Sequence, residues 1–292
     1  MMAALKQVDV VRVRAGNHSP GFDRAATEEP LEVRLHGRPF AVIMRTPGAD
    51  RELAAGFLLS EGVLKTADDL GTIEYCPSPH HPITPSPQHS ITPSPHHPVT
   101  RSRLDNVINV TLAGASLDEL DRVLETRRQV LANSSCGMCG RLTIESLETG
   151  AAPLPRHRQV SRSVIVSLPD RLRARQVVFD ETGGLHAAGL FTAEGVLEAA
   201  AEDVGRHNAV DKVIGRMVMK DALPLWDYLL CVSGRVSFEI VQKALLAGIP
   251  VVAAVSAPST LAIELACHAG VTLAAFVRGE GFNIYAHPER VV

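Results

Sequence analysis

The 292-residue chain has no apolar run long enough to cross a bilayer. The longest, around Ile249 to Ala257, falls far short of the roughly 20 residues a spanning helix needs, and it reads as a buried strand. A secretory leader is missing as well. The opening MMAALKQVDVVRVRAG is interrupted by Lys6 and Asp9 and has no continuous hydrophobic centre, so the expected location is the cytoplasm, with no membrane contact. Basic excess is also absent: 29 Lys and Arg stand against 32 Asp and Glu. That balance gives no support to broad nucleic-acid binding and leaves only a local basic patch for one anionic ligand. The five cysteines, at 76, 136, 139, 231 and 267, are odd in number and lack an export signal, which argues against a disulfide framework. Cys231 in YLLCVSG and Cys267 in LAIELACHAG read as buried small hydrophobes.

What is present is ordinary globular material, 46% hydrophobic and 21% charged, enough for a substantial core. Glu32 to Met44 alternates loosely and breaks at His36-Gly37, which predicts a hairpin. Arg45 to Asp50 reads as a turn and N-cap region, and Asp50, followed by Leu53, Phe57 and Leu58, starts an amphipathic helix that ends near Gly62. Residues 76–99 differ in kind. CPSPHHPITPSPQHSITPSPHHPV is a near repeat whose prolines withhold backbone donors, so it reads as an insertion in a surface loop. Its five histidines invite a metal reading, but nothing holds them in one geometry.

Asn106 to Leu112 predicts a strand and Ser116 to Leu131 a helix. Residues 160–179 suggest two valine-rich pieces around a short helix capped by Asp170. From Leu185 onward strands and helices alternate. A hairpin turns at Glu194-Gly195, helices cover Asn208 to Met219, Phe238 to Leu246 and Leu261 to Cys267, and strands cover Trp226 to Val232, Val251 to Val255 and Val271 to Val277. This alternation predicts a three-layer α/β domain with a largely buried sheet. The expected division is a smaller α+β region over 1–131, carrying the 76–99 insertion, and a main α/β domain over 132–292.

The pair Cys136 and Cys139 in SSCGMCGR carries the chemistry, and four readings of it stand. An exposed thiolate is a good nucleophile toward sulfane sulfur. Gly137 and Gly140 keep the segment permissive, and Arg141 could steady a thiolate or persulfide anion. Dithiol–disulfide exchange is the second reading, but a thioredoxin-like pair follows a strand and opens a helix, whereas GRLTIESLE after this pair reads as a strand. Zinc is the third. It lacks a second CxxC, His186 or His207 would have to complete the set, and alanine stands at 188 where a deaminase acid would follow His186. Incidental loop cysteines are the fourth.

Several polar clusters follow predicted strands: Ser233-Gly234-Arg235, Ser256 to Thr260, and Arg278-Gly279-Glu280. Ligands of open α/β sheets gather beyond the carboxyl ends of strands, so these clusters are candidates for one shared site. Backbone amides at helix starts, hydroxyls and a guanidinium suit a phosphorylated ligand. His186, beside Gly183-Gly184, is either a satisfied turn histidine or a proton-moving group in a cleft. The dense EDVGRHNAVDK contains helix-start residues such as Asn208 and two cations, Arg206 and His207, which favour a nearby anion; the alternative is a solvated charge run.

With these residues on the page the chain resembles the formate dehydrogenase accessory sulfurtransferase family. The resemblance rests on GFLLSEGVL, SSCGMCGR, GGLHAAGLF, EDVGRHNAVDKVIG, SGRVSFEIVQKAL, VSAPSTLAIELA and FVRGEGFNIY, which span nearly the whole chain outside 76–99. It implies a three-layer, cytidine-deaminase-like α/β core with a mixed sheet and a smaller α+β region, and a homodimer. It implies a sulfurtransferase that takes sulfur from a cysteine desulfurase as a cysteine persulfide. The sulfur passes to the molybdenum cofactor, in its bis-molybdopterin guanine dinucleotide form, for apo-formate dehydrogenase. The alternative is a non-enzymatic chaperone that binds the same cofactor. Carried onto this sequence, Cys136 matches the persulfide carrier and Cys139 its assisting partner. Phe276, Val277, Arg278, Gly279, Glu280 and Gly281 match the cofactor-binding stretch. Ser233, Arg235, His186 and His207 join them as candidate cofactor-binding residues, and no permanently bound metal is expected.

Overall fold

The computed structural model describes residues 4–76, 106–114, 151–155 and 159–292. The 76–99 repeat beyond Cys76, the helix expected at Ser116 to Leu131 and the Cys136–Cys139 loop lie outside the described residues. The described elements make a mixed α/β fold with six α-helices and three sheets.

A six-stranded mixed sheet positions the site. Its strands are β7 (His186–Thr192), β8 (Leu197–Asp203), β9 (Tyr228–Val232), β10 (Val251–Ala254), β11 (Thr272–Arg278) and β12 (Gly281–Ala286), in the spatial order β12-β11-β10-β9-β7-β8. Strands β9, β10 and β11 run parallel, while β7 and β12 are antiparallel to their neighbours. The parallel strands are short, fully apolar runs such as LLCV and VVAA, as a sheet covered on both faces requires.

Alternate residues feed two cores. Leu229, Cys231, Ala253 and Ala274 pack with Ile165, Leu168 and Leu172 of α2 (Arg162–Arg173) on one face. Leu230, Val232, Val252 and Leu273 pack on the other face with residues of α4 (Arg206–Val218), α5 (Phe238–Ala247) and α6 (Thr260–Ala269). The result is the helix–sheet–helix layering expected from the alternation. Each fully buried aliphatic of the α2 stripe contributes about 1.5–3 kcal/mol.

A four-stranded sheet in the order β4-β3-β6-β5 is built from β3 (Glu29–Leu35), β4 (Arg38–Arg45), β5 (Leu70–Tyr75) and β6 (Val107–Leu112). Its hairpin turns at His36-Gly37, both at positive φ (48° and 80°), the combination that suits a tight two-residue turn. Helix α1 (Asp50–Ser60) joins this sheet to the larger one by packing on α4. The approach is very close: a Cβ on Gly56 would lie 1.9 Å from the Asp211 carbonyl oxygen, and one on Gly215 would lie 1.8 Å from that of Glu52. Only glycine fits at either point. A separate antiparallel hairpin, β1 (Leu5–Arg14) with β2 (Asn17–Ala26), leans on α3 (Val177–Thr182).

Helix α1 starts at Asp50 as expected, behind the cap residue Ala49, and the Asp50 carboxylate is held in a fork by Arg45, at 2.9 Å to each oxygen. Three local expectations need correction. Asp170 caps nothing. Ser161 caps α2, its hydroxyl accepting from the Ser163 amide, and the helix runs through Pro169 and Asp170. Asn208 lies inside α4 behind the cap residue Gly205, and its amide donates to Asp203 and to the Met44 carbonyl. Cys267 is exposed, not buried, because Ala262, Ala266 and Ala269 carry the inner face of α6. Cys231 is buried as expected, and burial pushes its thiol up to about 12, leaving it inert.

Candidate functional site

The EDVGRHNAVDK segment is mostly a buried polar network. Lys212 lies 2.7 Å from Asp203 and donates to the Thr46 carbonyl at 2.8 Å, while Asp203 also accepts from the amides of Thr46 and Gly205. Asp211 bonds Lys243 of α5 at 2.7 and 2.8 Å and Ser60 of α1 at 2.7 Å, tying three helices together. Burial pushes the Asp211 carboxyl up, while Lys243 and Ser60 pull it down. His207, 3% exposed, lies 3.0 Å from the Ser237 hydroxyl and 2.5 Å from a Glu239 carboxylate oxygen. It stands behind the site as support rather than on its surface. The charge run is therefore neither solvated nor wholly functional, since most of it satisfies itself inside the core.

The cleft lies where the strand directions predict. The carboxyl ends of β9, β10 and β11 and the start of antiparallel β7 emerge at one edge of the six-stranded sheet. A cavity of about 630 Å³ opens there. His186, Ser233, Val255, Val277, Arg278 and Gly279 form its sheet side, and Arg173 and Phe179 lie on its helical side. The structure thus brings five of the sequence-derived candidates, His186, Ser233, Val277, Arg278 and Gly279, to one cavity. The Ser233 hydroxyl accepts from the Ala187 amide at 2.8 Å, which fixes it while leaving its own proton to donate.

Phe276 does not line the cavity but shapes it. Ala275 pairs with Asn283 and Arg278 with Gly281, so Phe276 and Val277 together oppose one residue of β12 in a β-bulge. Phe276 takes φ 55° there, a conformation that a bulky residue holds only under constraint. The bulge turns Arg278 out at the rim, exposed, with its guanidinium 6.0 Å from the Phe276 ring centre. Glu280 and Gly281 sit on the exposed turn beyond, where the Glu280 carbonyl accepts from Arg162 at 2.7 Å. Arg235 is exposed beside the cleft. Cys136 and Cys139 lie outside the described residues.

Sequence reasoning missed the helical wall. Arg173 stacks over Phe179 at 4.9 Å and pairs with Asp180, which presents an aromatic face already holding a cation. Glu202 caps α3, accepting from the Val178 and Phe179 amides at 2.9 and 2.8 Å, and so sets Phe179 in place. The only hint in the sequence was the amphipathic run ahead of Gly183-Gly184.

The backbone of His186 pairs with Asp203 in the β7–β8 ladder, while its imidazole has no hydrogen-bond partner among the described residues. Burial, then the nearby charges of Arg206, His207 and Arg235, hold its pKa below the usual imidazole range, with Asp203 opposing them. It is neutral at physiological pH and sits in a positive local field. Among the described residues no group of three or more His, Cys, Asp or Glu could hold a metal ion, and no helix is long and apolar enough to cross a membrane.

The fold and cleft define a mixed α/β protein with a cavity at the carboxyl edge of its six-stranded sheet, lined by Arg173, His186 and Arg278 among others. The FdhD/NarQ family model matches residues 26–292, and the chain belongs to that family. It is 48% identical over 287 residues to the sulfur carrier protein FdhD of Streptomyces avermitilis, covering 97% of this chain and 94% of that one. It is 42% identical over 292 residues to the protein of the same name from Sulfurisphaera tokodaii, covering 99% of each. Among solved structures, a crystal structure described as a candidate formate dehydrogenase accessory protein from Desulfotalea psychrophila superposes with a TM-score of 0.73. That protein is 26% identical, over 99% of this chain and all of that one.

Proposed function

We propose that this protein is a sulfurtransferase that carries sulfur to the molybdenum cofactor, as bis-molybdopterin guanine dinucleotide, for insertion into apo-formate dehydrogenase. The observation that carries the reading is the cleft itself, in which Arg278, Ser233 and His186 meet at the strand ends of a chain whose relatives are named sulfur carriers. The sulfur donor is a cysteine desulfurase. The Cys136 thiolate attacks the outer sulfur of the donor's persulfide, the donor's S–S bond breaks, the donor leaves as a thiolate, and Cys136 holds the persulfide. Cys139 assists release. The cofactor is substrate here, and its guanine dinucleotide phosphates lie against the Arg278 rim, where charge-assisted hydrogen bonds to an oxyanion are strongest. Ser233 donates to the same ligand, and Phe276, Val277, Gly279, Glu280 and Gly281 shape the strand end that carries Arg278.

The working form is a cytoplasmic homodimer. Its core is of the cytidine-deaminase type, with 132–292 as the main domain and 1–131 as the smaller region. The competing reading is a chaperone that binds the cofactor without touching sulfur. Expression in cells that lack their own accessory protein separates the two. Wild type restores formate dehydrogenase activity and Cys136→Ala does not; full activity with both Cys136 and Cys139 replaced would establish the chaperone.

A further inference from the structure

A two-stranded ribbon has little to stabilise it alone, and open strand edges invite pairing with other chains. Strands β1 and β2 nevertheless pair only with each other over ten residues apiece. Every residue from Val11 to Pro20 is exposed, on both faces, so the distal half of the ribbon projects as an arm. The register sorts its side chains. Val11 opposes Pro20, Val13 opposes His18 and Asp9 opposes Phe22, which puts Val11, Val13, Pro20 and Phe22 on one face. Arg12 and Arg14 alternate onto the other. Arg12 lies across the ribbon, donating to the Phe22 carbonyl and occupying the space a Cβ on Gly21 would need. The Arg14 side chain has no ion pair among the described residues. From Val10 to Phe22 no carboxylate offsets these charges, in a chain whose acids outnumber its bases by 32 to 29.

The foot of the arm rests on the cleft. Arg24 of β2 pairs with Glu181 of α3, and a Cβ on Gly184 would lie 3.8 Å from the Ala26 Cβ. Phe179 of the same helix and Gly184 itself line the cavity. A protein that grips the arm is thereby brought to the cleft mouth. Size argues against a second copy of this chain as the occupant. Five residues per strand make a face ~17 Å long and two strands wide. Two such arms laid together cover far less than the roughly 1,200 Å² of a stable interface, and an area that small suits a contact that forms and releases.

We propose that the β1–β2 arm docks the protein that receives the cargo of the cleft, in a groove with one apolar and one acidic wall. The apolar wall takes Val11, Val13, Pro20 and Phe22, and the acidic wall takes Arg12 and Arg14. Naming the receiver as apo-formate dehydrogenase rests on the function proposed above. A sulfur donor has to reach Cys136, and its task does not call for the cleft mouth.

The test measures binding of the full-length protein to purified apo-formate dehydrogenase by interferometry. Reversing the charge with Arg12→Glu and Arg14→Glu together should weaken binding by about tenfold or more at low salt, and added salt should weaken the wild type toward the variant. Replacing Val11, Val13 and Phe22 by Ser should weaken it by about as much, whatever the salt. Wild-type affinity in both variants overturns the proposal. Sedimentation and vesicles of phosphatidylglycerol with phosphatidylcholine address the other occupants. Both variants should sediment as the wild type does, and the wild type should not bind the vesicles. A lighter species in the variants assigns the arm to a second copy, and vesicle binding that the variants lose assigns it to an anionic membrane; either result overturns the docking. If a multiple variant does not fold, Arg14→Glu alone and the salt dependence of the wild type decide. Persulfide formation is followed separately. A wild type that takes up sulfur without binding apo-formate dehydrogenase refutes the arm and leaves the function standing. One that binds through the arm and takes up no sulfur refutes the function and leaves the arm.

Discussion

Gly56 and Gly215 each let a helix backbone touch another helix, and neither has room for a methyl group. Gly215→Ala should therefore cost at least the ~1–3 kcal/mol of ordinary overpacking, since the new atom meets backbone that cannot swing aside. The check is thermal unfolding, with a fall of ~2–4 °C for each kcal/mol in a chain of this size; an unchanged midpoint would refute the packing. Lys243 and Asp211 are coupled differently. Lys243→Met strands a fully buried carboxylate and should cost ~3–5 kcal/mol, read as a lower urea midpoint. Adding Asp211→Asn should restore part of that loss, because the charge left unpaired is gone. His186 gives a pH signature. Its folded pKa is depressed by burial and by Arg206, so below about pH 6.5 the unfolded chain takes up a proton that the folded chain resists. Stability should fall as pH drops through that window, and His186→Asn should flatten the fall; an identical pH profile in the variant contradicts the assignment.

Elements differ in how firmly they are held. The β1–β2 hairpin stands apart from both larger sheets and leaves Val11, Val13 and Phe22 about 60–65% exposed. A two-stranded ribbon has little to stabilise it. Its amides should exchange with solvent well before those of β9 and β10, which are covered on both faces; equal protection would show that the hairpin is part of the main cooperative unit. The alternating elements from β7 to β11 were legible because each is a short apolar run or an amphipathic stretch between clear turn residues. The hairpin at His36-Gly37 was legible for the same reason. Strand β12 was hidden, because GFNIYA borders a glycine-rich turn and shows no clean alternation. Helix α2 was misread at Pro169, where a proline argues for a break, yet Ile165, Leu168 and Leu172 anchor the helix on both sides of it. The bulge in β11 was invisible, since pairing two residues against one depends on a partner strand far along the chain.

Across the whole molecule, the sequence located the cleft better than it explained the charges around it. Strand-end clusters at Ser233 and Arg278 point to one edge once the strands run parallel, and that rule is general. What it could not distinguish is which charged residues face the ligand. His207 and Lys212 look like Arg206 in the sequence, but each has a buried acidic partner supplied by another element. Arg206 has none among the described residues, so only the three-dimensional arrangement singles it out. The helical wall of Arg173 and Phe179 is equally a product of tertiary packing.

Sulfur transfer through Cys136 is the claim on which the account turns, and intact mass measurement tests it most directly. The protein is incubated with a cysteine desulfurase and cysteine, then weighed without reductant. The account predicts a gain of one sulfur atom that reductant removes and that Cys136→Ala abolishes. An adduct of the same mass persisting in Cys136→Ala, or no adduct on the wild type, would contradict it.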